Sequence, residues 1–79
     1  MGIKVVRFKD GTYGVRKWVF MEGYQFLDMS MYDKNWDQWW SIDRHVDEFA
    51  KAPSELIAIA KLEAWKERMS RKNDKGTPL

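Results

Sequence analysis

The sequence predicts an α+β domain: a three- to four-stranded antiparallel β-meander packed against one long carboxy-terminal helix. Three observations lead there. Two runs of β-branched and aromatic residues, Ile3 to Lys9 and Thr12 to Phe20, flank Asp10-Gly11, a dipeptide suited to the positive φ angles of a tight hairpin turn. A second turn signal, Glu22-Gly23, precedes a third such run, Tyr24 to Ser30. From Pro53 to about Lys72 every residue tolerates a helix, and apolar residues recur at helical spacing.

A two-residue turn at Asp10-Gly11 would set Phe8 against Tyr13, Val6 against Val15, Val5 against Arg16 and Ile3 against Trp18. The same geometry at Glu22-Gly23 would set Val19 against Phe26, Trp18 against Leu27 and Lys17 against Asp28, the last an opposite-charge pair. One face then collects Ile3, Val5, Trp18, Phe20, Leu27 and Met29, and the other Val6, Phe8, Tyr13, Val15, Val19 and Phe26. A sheet with one solvated face alternates apolar and polar residues. This one does not, so both faces are expected to be at least partly covered.

Met31 to Asp37 is polar and turn-like, and Gln38 to Ile42 reads as a short fourth strand sending Trp39 and Trp40 to opposite faces. Asp43 to Ala52 fits either a helical turn or an irregular connection. Pro53 suits the first turn of a helix, with Ser54-Glu55 supplying capping and dipole support. On that helix Ala58, Ile59, Leu62, Trp65 and Met69 share one face, while Leu56, Ile57, Ala60 and Ala64 share the opposite one. Glu67 and Arg71 stand i,i+4. The expected organisation is a single domain over residues 1–72 followed by a flexible tail, 73–79, that contains Gly76 and Pro78.

Composition narrows the chemistry. The 79 residues contain no cysteine and a single histidine, which removes disulfides, iron–sulfur clusters and cysteine-type zinc sites. Neither a metal nor a cofactor is expected. Asp43, His45, Asp47 and Glu48 lie close together, but carboxylates near a histidine are common on polar segments. No nucleophile motif or phosphate-binding glycine loop accompanies them, and no catalytic residue is expected. No apolar run approaches the roughly 20 residues of a membrane span, so a soluble cytoplasmic protein is expected. The net charge of +2 is unevenly laid out. Residues 1–20 carry five bases against one acid, residues 21–50 seven acids against two bases, and residues 51–79 are basic again.

Five tryptophans are the outstanding feature. Trp36, Trp39 and Trp40, with Tyr32 beside them, are either a packing anchor or a protein-binding patch, because tryptophan is prominent among interface hot spots. Acidic neighbours argue against base stacking there. The stripe Leu56, Ile57, Ala60 and Ala64 is a candidate for self-association, most simply as a homodimer. Lys4, Arg7, Arg16 and Lys17 put positive charge on the first hairpin, a candidate contact for nucleic acid or a nucleotide.

The succession Tyr13-Gly14-Val15-Arg16, Tyr24-Gln25-Phe26-Leu27-Asp28 and Trp39-Trp40-Ser41 resembles a pattern in small, mostly uncharacterised bacteriophage accessory proteins. It spans about residues 5–42 and leaves the helix unmatched. The resemblance implies a non-enzymatic role during infection, binding a host or defence protein and inhibiting or redirecting it. Two alternatives stand beside it: a nucleic-acid-binding protein using the basic hairpin, and an oligomeric sponge trapping a nucleotide at subunit interfaces.

Overall fold

The structure, a computed structural model, describes residues 2–31, 39–42, 48–72 and 74–79. Strands β1 (Lys4–Arg7), β2 (Tyr13–Val19), β3 (Gly23–Leu27) and β4 (Trp40–Ile42) form one antiparallel sheet in that order, and α1 (Glu55–Lys72) packs on it. The predicted fold class is the one adopted. The strand registers differ from expectation, and the difference decides which side chains share a face.

At the first hairpin, Phe8 N–H donates to the Thr12 carbonyl at 2.7 Å and Gly11 N–H to the Phe8 carbonyl at 3.1 Å. The loop is therefore Lys9-Asp10-Gly11, three residues long, with Gly11 in the left-handed region at φ 87°, the turn-plus-bulge solution. The Asp10 carboxylate favours it by accepting the Thr12 N–H at 3.0 Å and the Thr12 hydroxyl. Val5 consequently opposes Val15 rather than Arg16. A one-residue slip exchanges the faces that strands share. Val5 now lies with Tyr13 and Val15, and Val6 lies with Gly14 and Arg16.

The second hairpin shifts further. Val19 opposes Gly23 and Trp18 opposes Tyr24, because the loop is Phe20-Met21-Glu22, closed by Glu22 N–H to the Val19 carbonyl at 3.0 Å. Gly23 begins β3 instead of centring the turn. β3 stops at Leu27, short of the expected Ser30, where the Asp28 carboxylate accepts both the N–H and hydroxyl of Ser30 at 2.8 and 2.7 Å.

Past that point the backbone is held by other segments. Asp28 N–H donates to the Trp39 carbonyl at 2.6 Å and Met29 N–H to the Phe49 carbonyl at 2.7 Å. A 3-10 turn, Glu48–Ala50, leads into Ala52, which exchanges two backbone hydrogen bonds with Tyr13 at 2.6 and 2.9 Å. The described part of the ambiguous stretch is thus tied to both β2 and the end of β3.

The helix begins at Glu55. Ser54 is its cap, its hydroxyl accepting the Ile57 N–H at 3.3 Å, and Pro53 precedes the cap. The core comprises Val15, Leu27, Met29, Trp39, Ala52, Ala58 and Leu62, with Val5, Tyr13, Trp40 and Trp65 packed around it. Ala58, Leu62 and Trp65 are spaced i,i+4,i+7, the stripe by which α1 meets the sheet. Ile59, expected on that stripe, is 37% exposed and lies outside the buried core. The sheet touches α1 along a narrow line, and a step of one residue turns a side chain well away from it.

Candidate functional site

The end of the β2–β3 hairpin carries the largest exposed apolar side chains of the sheet. Phe20 is 83% exposed and Met21 88%, although turns normally recruit glycine, asparagine, aspartate or proline. Met21 also holds a φ of 68°, a left-handed conformation that burdens any residue with a Cβ. Both side chains leave most of their surface in solvent. Below the tip, Trp18 and Tyr24 stand opposite one another on the two central strands, ring centroids 5.2 Å apart and edge to face at 75°. Trp18 remains 57% exposed.

Arg16 lies diagonally across from Tyr24, with its guanidinium carbon 4.4 Å from the ring centroid. Lys4 directly opposes Arg16 from β1. The register puts Lys4, Val6, Gly14, Arg16, Trp18, Tyr24, Phe26 and Ser41 on this face of the sheet, with no acid among them. Its far end is closed by Phe8 and Phe26, whose rings are 5.8 Å apart. An open groove of about 440 Å³ runs beside Trp18, lined by Gly2, Ile3, Lys17, Trp18 and Phe20.

The residues singled out from sequence are distributed differently. Trp39 is wholly buried, with the Arg68 guanidinium 5.4 Å from its ring. It belongs to the core and presents no surface to a partner. The expected alternation does not govern it, because Trp39 precedes β4. Trp40 is half-buried, edge to face with Trp65 at 5.1 Å and capped by the Lys17 ammonium at 4.2 Å. Its indole N–H is buried without a hydrogen-bond acceptor. Tyr32 and Trp36 lie outside the described residues.

The four basic residues of the first hairpin do not form one patch. Lys4 and Arg16 share the open face, whereas Arg7 and Lys17 fall on the face that receives the helix. On α1, Leu56 is 78% exposed, Ile57 and Ala60 are exposed, and Ala64 is half-buried. Among the described residues no group of three or more metal-ligating side chains comes together, and no described helix is long and apolar enough to cross a membrane. Asp43, His45 and Asp47 lie outside the described residues.

Phe20, Met21, Trp18 and Tyr24 were not singled out from sequence as a site. A signal existed: an apolar pair, Phe20-Met21, occupies the link between two strands, where a turn gains nothing from it. No protein-family model, curated protein or solved structure matches the chain.

Proposed function

We propose that this chain is a non-enzymatic binding protein that docks the tip of its β2–β3 hairpin into an apolar depression of another protein. The carrying observation is the near-complete exposure of Phe20 and Met21. An apolar tip held in a strained turn costs solubility and stability, and burial against a partner would offset both. Trp18, Tyr24 and Arg16 behind it match the side chains over-represented where interfaces are tightest. The phage-type resemblance suggests the target class, a host or defence protein in the cytoplasm of an infected cell, inhibited or redirected by occupancy of one of its surfaces.

The test is affinity for a target captured from host extract and then purified, measured by calorimetry with Phe20→Ser and Met21→Ser. Each substitution is expected to weaken binding at least about 30-fold, the effect of losing a hot spot of about 2 kcal/mol, with circular dichroism unchanged. Wild-type affinity in both folded variants would refute the tip as the docking element. Trp36→Ala and Trp40→Ala, run in parallel, test the tryptophan-rich segment separately.

We infer further that a second copy covers the exposed helix stripe. Leu56, Ile57 and Ala60 form an uncharged surface at the start of α1, and Ala60 lets backbones approach closely. Light scattering should show an oligomer that Ala60→Glu dissociates into folded monomers. A monomeric wild type would refute it.

A further inference from the structure

We propose that the open face of the sheet is a binding site for single-stranded nucleic acid, with Trp18 as the stacking surface and Lys4 and Arg16 as the phosphate contacts. This goes beyond docking at the hairpin tip: it does not call on Phe20 and Met21, and it gives Trp18, Tyr24 and Arg16 behind them a second ligand.

Charge on this face is one-sided. Lys4 and Arg16 oppose each other directly across β1 and β2, and like charges in that position repel. Among the described residues the ion pairs, Lys51 with Asp10, Lys66 with Glu63 and Arg71 with Glu67, lie elsewhere and do not relieve them. No acid occupies a register position on their face. Among the described residues, this cross-strand pair of cations therefore has no acid at a neighbouring register position to neutralise it. A polyanion laid across β1 and β2 would turn that repulsion into attraction.

The shape of the face suits the same ligand. The Arg16 guanidinium sits over the Tyr24 ring, its carbon 4.4 Å from the centroid, and a guanidinium held against a ring still has N–H donors to offer a phosphate. Tyr24 in turn meets Trp18 edge to face, a contact on one side of an indole that stays 57% exposed. Two residues apart on one strand, Arg16 and Trp18 project from the same face roughly 7 Å apart. β2 thus sets one cation beside one ring, as a phosphate lies beside its base along an extended strand. An acidic peptide would satisfy the cations but offers no regular series of flat rings. A duplex would satisfy the cations, yet its bases are stacked on each other and unavailable to Trp18. Single strands supply both.

The experiment is fluorescence anisotropy with a labelled thymidine oligonucleotide, its duplex with adenosine, and polyglutamate, over a series of salt concentrations. Wild type is expected to prefer the single strand, with affinity falling linearly on a log–log salt plot. Arg16→Gln should reduce the magnitude of that slope by about 0.7, one phosphate's share for single strands. Trp18→Ala should weaken binding about 5- to 150-fold with the slope retained, because stacking releases no counterion. Both side chains are partly or largely exposed, and circular dichroism confirms folding of each variant.

Absence of single-strand binding at low salt would overturn the proposal. So would equal affinity for the duplex, or indifference to Trp18→Ala, since either describes charge attraction alone. Polyglutamate binding as tight as the oligonucleotide's and equally dependent on Trp18 would transfer the face to acidic proteins and also overturn it. Phe20→Ser and Met21→Ser should leave oligonucleotide affinity within about twofold, which separates this site from hairpin-tip docking. A loss in those variants equal to that in Trp18→Ala would refute the distinction.

Discussion

Gly14 sits inside β2, and its replacement by alanine probes how the segment 48–52 packs on the sheet. Its φ lies outside the left-handed region, so the requirement is for space alone. A Cβ there would lie 2.7 Å from Phe8 Cε2 and 2.9 Å from the Ala50 carbonyl oxygen. The two obstacles differ in kind. The Phe8 ring is half-buried and can swing, whereas the Ala50 carbonyl is backbone, pinned on either side by Phe49 bonded to Met29 and Ala52 bonded to Tyr13. Overpacking of this type costs about 1–3 kcal/mol. Alanine recovers about 0.5–1 kcal/mol by restricting the unfolded chain, leaving a net loss centred on about 1 kcal/mol and at most about 2.5 kcal/mol. For a domain of this size a loss of about 1 kcal/mol lowers Tm by about 4–8 °C, out of a stability of roughly 4–12 kcal/mol. Thermal unfolding followed by circular dichroism measures it directly. Phe8→Leu combined with Gly14→Ala should recover little, because the backbone obstacle remains. A Gly14→Ala protein melting within about 2 °C of wild type would refute the close approach of Ala50 to β2.

Three further expectations follow from particular contacts. Trp39→Ala removes a fully buried indole from the core and should cost about 3–5 kcal/mol, visible as loss of cooperative urea unfolding or a collapsed midpoint; a midpoint shift below about 1 kcal/mol would contradict its place there. Met21→Asn keeps the left-handed turn at lower strain, since asparagine tolerates positive φ, and should raise Tm by a few degrees while weakening partner binding. Asp10, hydrogen-bonded first by Lys51 and then by Thr12, is held well below the usual carboxylate range. A depressed folded-state pKa stabilises above the unfolded value and is lost as pH falls beneath it. The Tm of wild type should therefore drop below about pH 4 more steeply than that of Asp10→Asn, and parallel acid profiles would exclude the contribution.

The sequence by itself determined the kinds of element and their order. Apolar and β-branched runs punctuated by Asp10-Gly11 and Glu22-Gly23 specify strands, and a proline–serine start with helical apolar spacing specifies α1, because these signals act within a few residues of backbone. The Glu67–Arg71 pair, found at 2.9 Å, was legible for the same reason: it is local. Register was not. The turn signals admit two- and three-residue loops, and the Asp10 bonds to Thr12 together with the placement of Phe20-Met21-Glu22 decided between them. That choice gathered Lys4, Arg16, Trp18 and Tyr24 on one face and sent Arg7 and Lys17 to the other. Tertiary structure also decided the fate of the tryptophans. Periodicity assigns Trp39 to a strand that alternates, yet packing against Leu62 and its neighbours begins one residue before the strand does and draws it inward. Burial is a property of what surrounds a residue: distant parts of the chain close over Trp39 and Gly14, while at the hairpin tip Phe20 is left 83% exposed.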